Sequence, residues 1–101
     1  MTELWQACAT TIAARVRSRD TSAREECEAA IARMQAVNPE LNAVVDETAE
    51  AALAEADALD AAIARGEPVG PLAGVPATVK INIDYAGRAT TNGLRTQADL
   101  T

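Results

Sequence analysis

The sequence predicts an α/β protein in which three helices lead into the first strands of a sheet. Charge divides it first: residues 1–66 carry twelve acids against six arginines, a net of −6, while residues 67–101 carry three acids and three bases, a net of zero. Composition changes at the same point, from Ala, Glu and Arg to Gly, Pro, Thr and Val. Hydrophobic periodicity changes with it, from three or four residues, which suits helices, to two, which suits a strand with one buried face.

The first helix is predicted over residues 3–18. Leu4, Cys8, Ile12 and Val16 make one apolar stripe, with Trp5 at its edge. Arg15, Arg17 and Arg19 gather at its C-terminal end, where positive charge suits the helix dipole. A second helix starts at Ser22, with Glu25 at the spacing of a capping box. Glu25, Glu26 and Glu28 put negative charge in its first turns, and Cys27, Ala30, Ile31, Met34 and Val37 form its stripe. Asn38-Pro39 is predicted to end it, because the residue before proline is pushed out of the helical region. Leu41-Asn42-Ala43-Val44-Val45, bounded by turn formers, reads as a brief strand. The third helix runs from Thr48 to Arg65. Ala49, Leu53, Ala56, Leu59 and Ile63 face inward, while Glu50, Glu55, Asp57 and Asp60 largely face out. Gly66 stops it, with Pro68 just beyond. GEPVGPLAGVP is then a punctuated loop, and Val75, Ala77, Val79, Ile81 and Ile83 alternate as a strand. The rest, YAGRATTNGLRTQADLT, is turn-rich.

Composition limits what such a chain can be. It has 101 residues, 49% of them hydrophobic, with no phenylalanine. Alanine accounts for 24 residues, and Leu, Ile and Val together for only 19. Alanine buries little area, so at ~25 cal/mol per Å² the available hydrophobic term is thin. The sequence is therefore at most one small, under-cored unit. No apolar run approaches the ~20 residues of a membrane span, and the N-terminus lacks a basic start before an apolar run, so no secretory signal is read. Two cysteines without CxxC spacing argue against a disulfide framework or zinc site and for a reducing, cytoplasmic setting. Acidity argues against nucleic-acid binding through a basic face. The absence of histidine removes His-activated nucleophiles and His-liganded metals from this stretch.

Basic charge is carried by eight arginines and one lysine, Lys80, which falls mid-strand between Val79 and Ile81. An arginine stays charged, whereas a desolvated lysine can lose its proton. Two readings follow from residue type alone. Either Lys80 lies on a polar strand face and extends its ammonium to water, or the chemistry at this place needs an amine.

The surrounding string, GPLAGVPATVKINIDYAGRATTNG, closely resembles the amidase signature family. Gly70, Pro71, Leu72, Gly74, Val75 and Pro76 fill that family's entry loop, and Val79, Lys80 and Asn82 fill its lysine strand. Gly87, Thr90, Thr91 and Gly93 match its Gly-x-x-Thr-Thr-x-Gly segment. Upstream, TSAREECEAAIARMQAVNPELNAVV is similar to its capped second helix, Asn-Pro turn and first strand. The resemblance implies a mixed-sheet α/β hydrolase for carboxylic amides, built on a Ser–Ser–Lys triad, with a small-molecule amide as substrate and no metal or organic cofactor. The triad lysine maps onto Lys80, whose neutral amine would act as base through a bridging serine. That role demands a pKa lowered towards ~7–8 by burial. Asn82 braces the lysine or satisfies a bend, and Thr90 and Thr91 line a substrate pocket or cap a turn.

Two departures stand out. Ile81 occupies a position that is commonly acidic in the family, which disfavours the glutamine-dependent tRNA amidotransferase subunit. The only serines, Ser18 and Ser22, sit at a helix end and a helix cap. Both triad serines are thus expected beyond this sequence, and residues 1–101 are read as the N-terminal part of a single amidase domain. The helical region is 1–66, and the loop–strand–loop with the lysine motif is 67–101. Alone, this segment is expected to be inactive and marginally stable, with residues 67–101 the most exposed to proteolysis. The alternative from another class is a stand-alone acidic helical interaction module, or a remnant without catalysis. Cys8 and Cys27 fall on the predicted stripes and are expected to be buried structural thiols. The glycines of GPLAGVP lack any GK[ST] or GxGxxG pattern, so a phosphate loop is not expected. The alanine-rich helix faces are compatible with a homo-oligomer; neither nucleic acid nor membrane is an expected partner.

Overall fold

The computed structural model describes residues 3–44 and 46–80. They begin with a short 3-10 turn at Leu4–Gln6 and continue into three helices, α1 at Ala9–Ser18, α2 at Ala23–Leu41 and α3 at Ala49–Ala64. The predicted first helix is therefore broken. Glu3 donates its N–H to the Gln6 side chain at 3.0 Å and accepts the Gln6 N–H at 3.0 Å, so the first turn closes on itself. Ala7 and Cys8 are then extended, with ψ of 153° and 163°. This break lifts Cys8 off the stripe predicted from its spacing.

α1 ends where Arg19 turns left-handed at φ 65°. The Arg19 N–H reaches Val16 O at 3.2 Å and the Asp20 N–H reaches Arg15 O at 3.0 Å, the paired bonds of a Schellman ending. α2 starts with the predicted capping box: Glu25 N–H donates to Ser22 Oγ, and Ser22 N–H to Glu25 Oε1. Asp60 of α3, expected to face out, instead accepts the N–H groups of Ala23 and Arg24 at 2.7 and 3.1 Å. A carboxylate there meets both the free donors and the positive end of the dipole.

α2 also runs past its predicted end. Pro39 stands in the last turn, where its missing N–H forfeits a single helical bond. The helix then stops at Asn42, with φ 50°. The predicted strand at 41–45 does not form over its described residues. Leu41 is the last helical residue, and both backbone groups of Val44 are held by the Asn38 side-chain amide at 2.9 and 3.0 Å. That amide takes the bonds a neighbouring strand would need.

α2 and α3 are antiparallel, as contacts from Ala23 and Arg24 to Asp57 and Asp60, and from Gln35 to Glu47, require. α1 packs across them through Ile12 and Val16, which join Ala23, Cys27 and Ala56 in the core. Ile31, Leu53, Leu59, Ile63 and Val75 pack around its edge. Within it sits one buried charge, Glu26, 2% exposed. Arg15 holds it through Nε at 3.0 Å and Nη2 at 2.8 Å, and the Thr21 hydroxyl donates to it at 2.8 Å.

Among the described residues there is no strand. Val75 is partly buried, but Ala77 and Val79 of the predicted inward face are exposed. An alternating segment acquires a buried face only when a ladder neighbour and a covering layer exist. The described residues provide neither beside 75–80. Ile81 and Ile83 lie outside them.

Candidate active site

The segment that leads to Lys80 is anchored before it is free. α3 closes with Gly66 at φ 77°, Gly66 N–H on Ile63 O and Glu67 N–H on Ala62 O, a second Schellman ending. Two turns follow, closed by Ala73 N–H on Gly70 O and by Val75 N–H on Leu72 O. Gly74 is the third residue of the second turn, at φ 87°, a value that a type II turn requires there and glycine supplies freely. It lies so close to α1 that a Cβ would meet the two Val16 methyl carbons at 2.7 and 2.8 Å. Arg17 donates to Pro71 O at 3.0 Å, and Val75 packs on the core. Over residues 77–80 the backbone is non-helical and exposed, Lys80 included.

The predicted site residues are therefore not brought together among the described residues. Lys80 is described, while Asn82, Thr90 and Thr91 lie outside them. Ser18 and Ser22 are both engaged in helix ends: Ser18 Oγ donates to Arg15 O, and Ser22 caps α2. A cleft of about 230 Å³ opens beside the anchored loop, lined by Leu4, Trp5, Ile12, Glu26, Val75 and Pro76. Arg33 stacks over the Trp5 ring at 4.3 Å. The Glu26 carboxylate, gripped by Arg15 and Thr21, is committed to structure.

One reactive group escaped the reading of stripes. Cys8 is exposed, immediately precedes α1, and has Thr10 Oγ1 at 3.4 Å and Thr11 Oγ1 at 3.2 Å. Hydrogen bonds from Thr10 and Thr11 bring its thiol down to about 6. Cys27 is buried as predicted, and that burial pushes its thiol up. The sequence signal for Cys8 was present in the two threonines that follow it. Among the described residues, no group of three His, Cys, Asp or Glu could hold a metal ion. No helix among them is long and apolar enough to cross a membrane.

The amidase family model matches residues 25–100, from the first turn of α2 through the whole lysine motif. The chain belongs to the amidase family. It is 47% identical to an indoleacetamide hydrolase of Bradyrhizobium diazoefficiens over 95% of its own length and 18% of that protein's. A glutamyl-tRNA(Gln) amidotransferase subunit from Carboxydothermus hydrogenoformans is 42% identical over 88% of this chain and 18% of its own. The AtzE subunit of a 1-carboxybiuret hydrolase from a Pseudomonas strain is 46% identical over 77% and 16%. This amidase segment thus spans less than a fifth of the length of these curated relatives. No solved structure matches it at a significant level.

Proposed function

We propose that this chain is the N-terminal part of an amide hydrolase that cleaves carboxylic amides to an acid and ammonia or an amine. Lys80 is its catalytic base. The family match over residues 25–100 carries the reading, because it spans the motif around the only lysine in the sequence. In this reading Lys80 takes a proton through a bridging serine, and a second serine attacks the amide carbonyl to give an acyl-enzyme that water then hydrolyses. Ser18 and Ser22 are occupied at helix ends, so both triad serines come from the longer polypeptide. That polypeptide also supplies the mixed sheet in which residues 75–83 form a strand and which covers Lys80. Asn82 braces the amine, and Thr90 and Thr91 line the acyl pocket. Two free thiols fit a reducing, cytoplasmic setting.

The identity to an indoleacetamide hydrolase makes indoleacetamide the first amide to test. The full-length enzyme is expected to hydrolyse a primary amide. Lys80→Ala is expected to lower kcat by at least a thousandfold, in line with loss of a general base that activates the nucleophile. Normal hydrolysis by that variant would overturn the assignment. The purified 101-residue chain is expected to hydrolyse nothing; Lys80-dependent release of ammonia from it would contradict the placement of the serines.

A further inference from the structure

We infer that α1 positions the catalytic lysine, and that Val16 and Arg17 are positioning residues for the amidase reaction; the inference rests on Lys80 as the base. The segment from Gly66 to Lys80 touches the helical body at few places. Arg17 Nη1 holds Pro71 O at 3.0 Å, Gly74 lies against Val16, and Val75, half-buried, packs against the core. After Val75, Pro76 fixes its own φ and the next four residues are exposed. The last fixed point before Lys80 is therefore the Val16–Gly74–Val75 contact, five residues upstream of the amine.

Val16 is 1% exposed and held on all sides, so α1 acts as a rigid bed rather than a yielding one. Nothing larger than glycine fits on that bed. A side chain at position 74 must either push the loop off α1 or displace Val16. Both moves shift the origin of the strand that carries the base, and a misplacement of about 1 Å at a catalytic group can cost roughly a hundredfold in rate.

The experiment uses the full-length enzyme with indoleacetamide. Gly74→Ala is expected to lower kcat at least tenfold with KM changed less than twofold. Val16→Ala combined with Gly74→Ala should recover at least threefold of that loss, because it removes the methyl groups a new Cβ would meet, and the remainder is the strain of alanine at φ 87°. Asp60→Ala, which weakens the α2 cap away from the loop, is the stability control and should lower Tm while kcat stays within twofold. Amide exchange of Val75 in the full-length enzyme gives a readout independent of activity. Its protection should fall in Gly74→Ala and return in part in the double variant. Unchanged kcat in Gly74→Ala, or a loss that Val16→Ala does not relieve, would overturn the inference. Full activity of Lys80→Ala would instead sink the reading of the base, while the exchange result would still decide whether α1 holds the loop.

Discussion

The Cys8 thiol has hydroxyls at 3.4 and 3.2 Å, and donors that point at a sulfur favour its thiolate over its thiol. With its pKa brought down to about 6, alkylation of Cys8 by iodoacetamide should accelerate as pH rises through 6 and level off by neutrality. Cys27, buried and shifted upward, should react slowly throughout. Replacing both threonines by valine should move the Cys8 midpoint towards that of an ordinary thiol; an unmoved midpoint would refute the cause. Cys8 therefore adds stability in full above the ordinary thiol value of 9.0, and that contribution is lost as pH falls from there through about 6. Glu26 is a charge buried with its partner Arg15. Removing Arg15 as Arg15→Met should cost about 3 kcal/mol in chemical denaturation, since it strands a buried carboxylate. A loss under 1 kcal/mol would mean that Thr21 and water suffice. Neither residue's role was open to a periodicity argument. Spacing placed Cys8 on a stripe because spacing cannot see a local Glu3–Gln6 closure, and it placed Glu26 at a helix start without knowing that Arg15 lies across from it.

At the scale of elements, the local signals were the legible ones. The Ser22–Glu25 box, the Gly66 stop and the stripes of α2 and α3 are all written within a few residues of where they act. What stayed illegible depends on groups distant in sequence or on competition for a backbone bond. Asp60 caps α2 from 37 residues away, and the Asn38 amide, rather than a strand, satisfies Val44. The Asp60 contact carries a measurable prediction. Asp60→Ala removes a carboxylate from two N–H donors at a helix start, and such a loss costs about 1–2 kcal/mol. In a chain of this size that corresponds to a fall in Tm of roughly 4–16 °C. Ser22→Ala should add to it only in part, because both groups serve the same turn. A Tm unchanged in Asp60→Ala would show that Ser22 alone caps the helix.

For the molecule as a whole, the described core rests on few side chains. Ile12 and Val16 are its only buried branched residues, accompanied by three alanines, Cys27 and an ion-paired glutamate. Leu41, Leu72 and Val79 meanwhile remain more than half exposed. Lys80 therefore sits where the described residues support it least, on the exposed stretch 77–80 beyond the anchor at Val75. The isolated chain should melt broadly, with a midpoint below ~45 °C, the lower edge of ordinary domains. Limited trypsin digestion should cut after Lys80 well before Arg15, Arg24 or Arg33, because cleavage inside a helix must wait for local unfolding while an exposed, non-helical bond need not. If the longer enzyme proposed above covers Lys80, the same bond should resist cutting there. Equal cutting after Lys80 in both forms would mean that the rest of the enzyme leaves the amine in water, against a buried catalytic role for it.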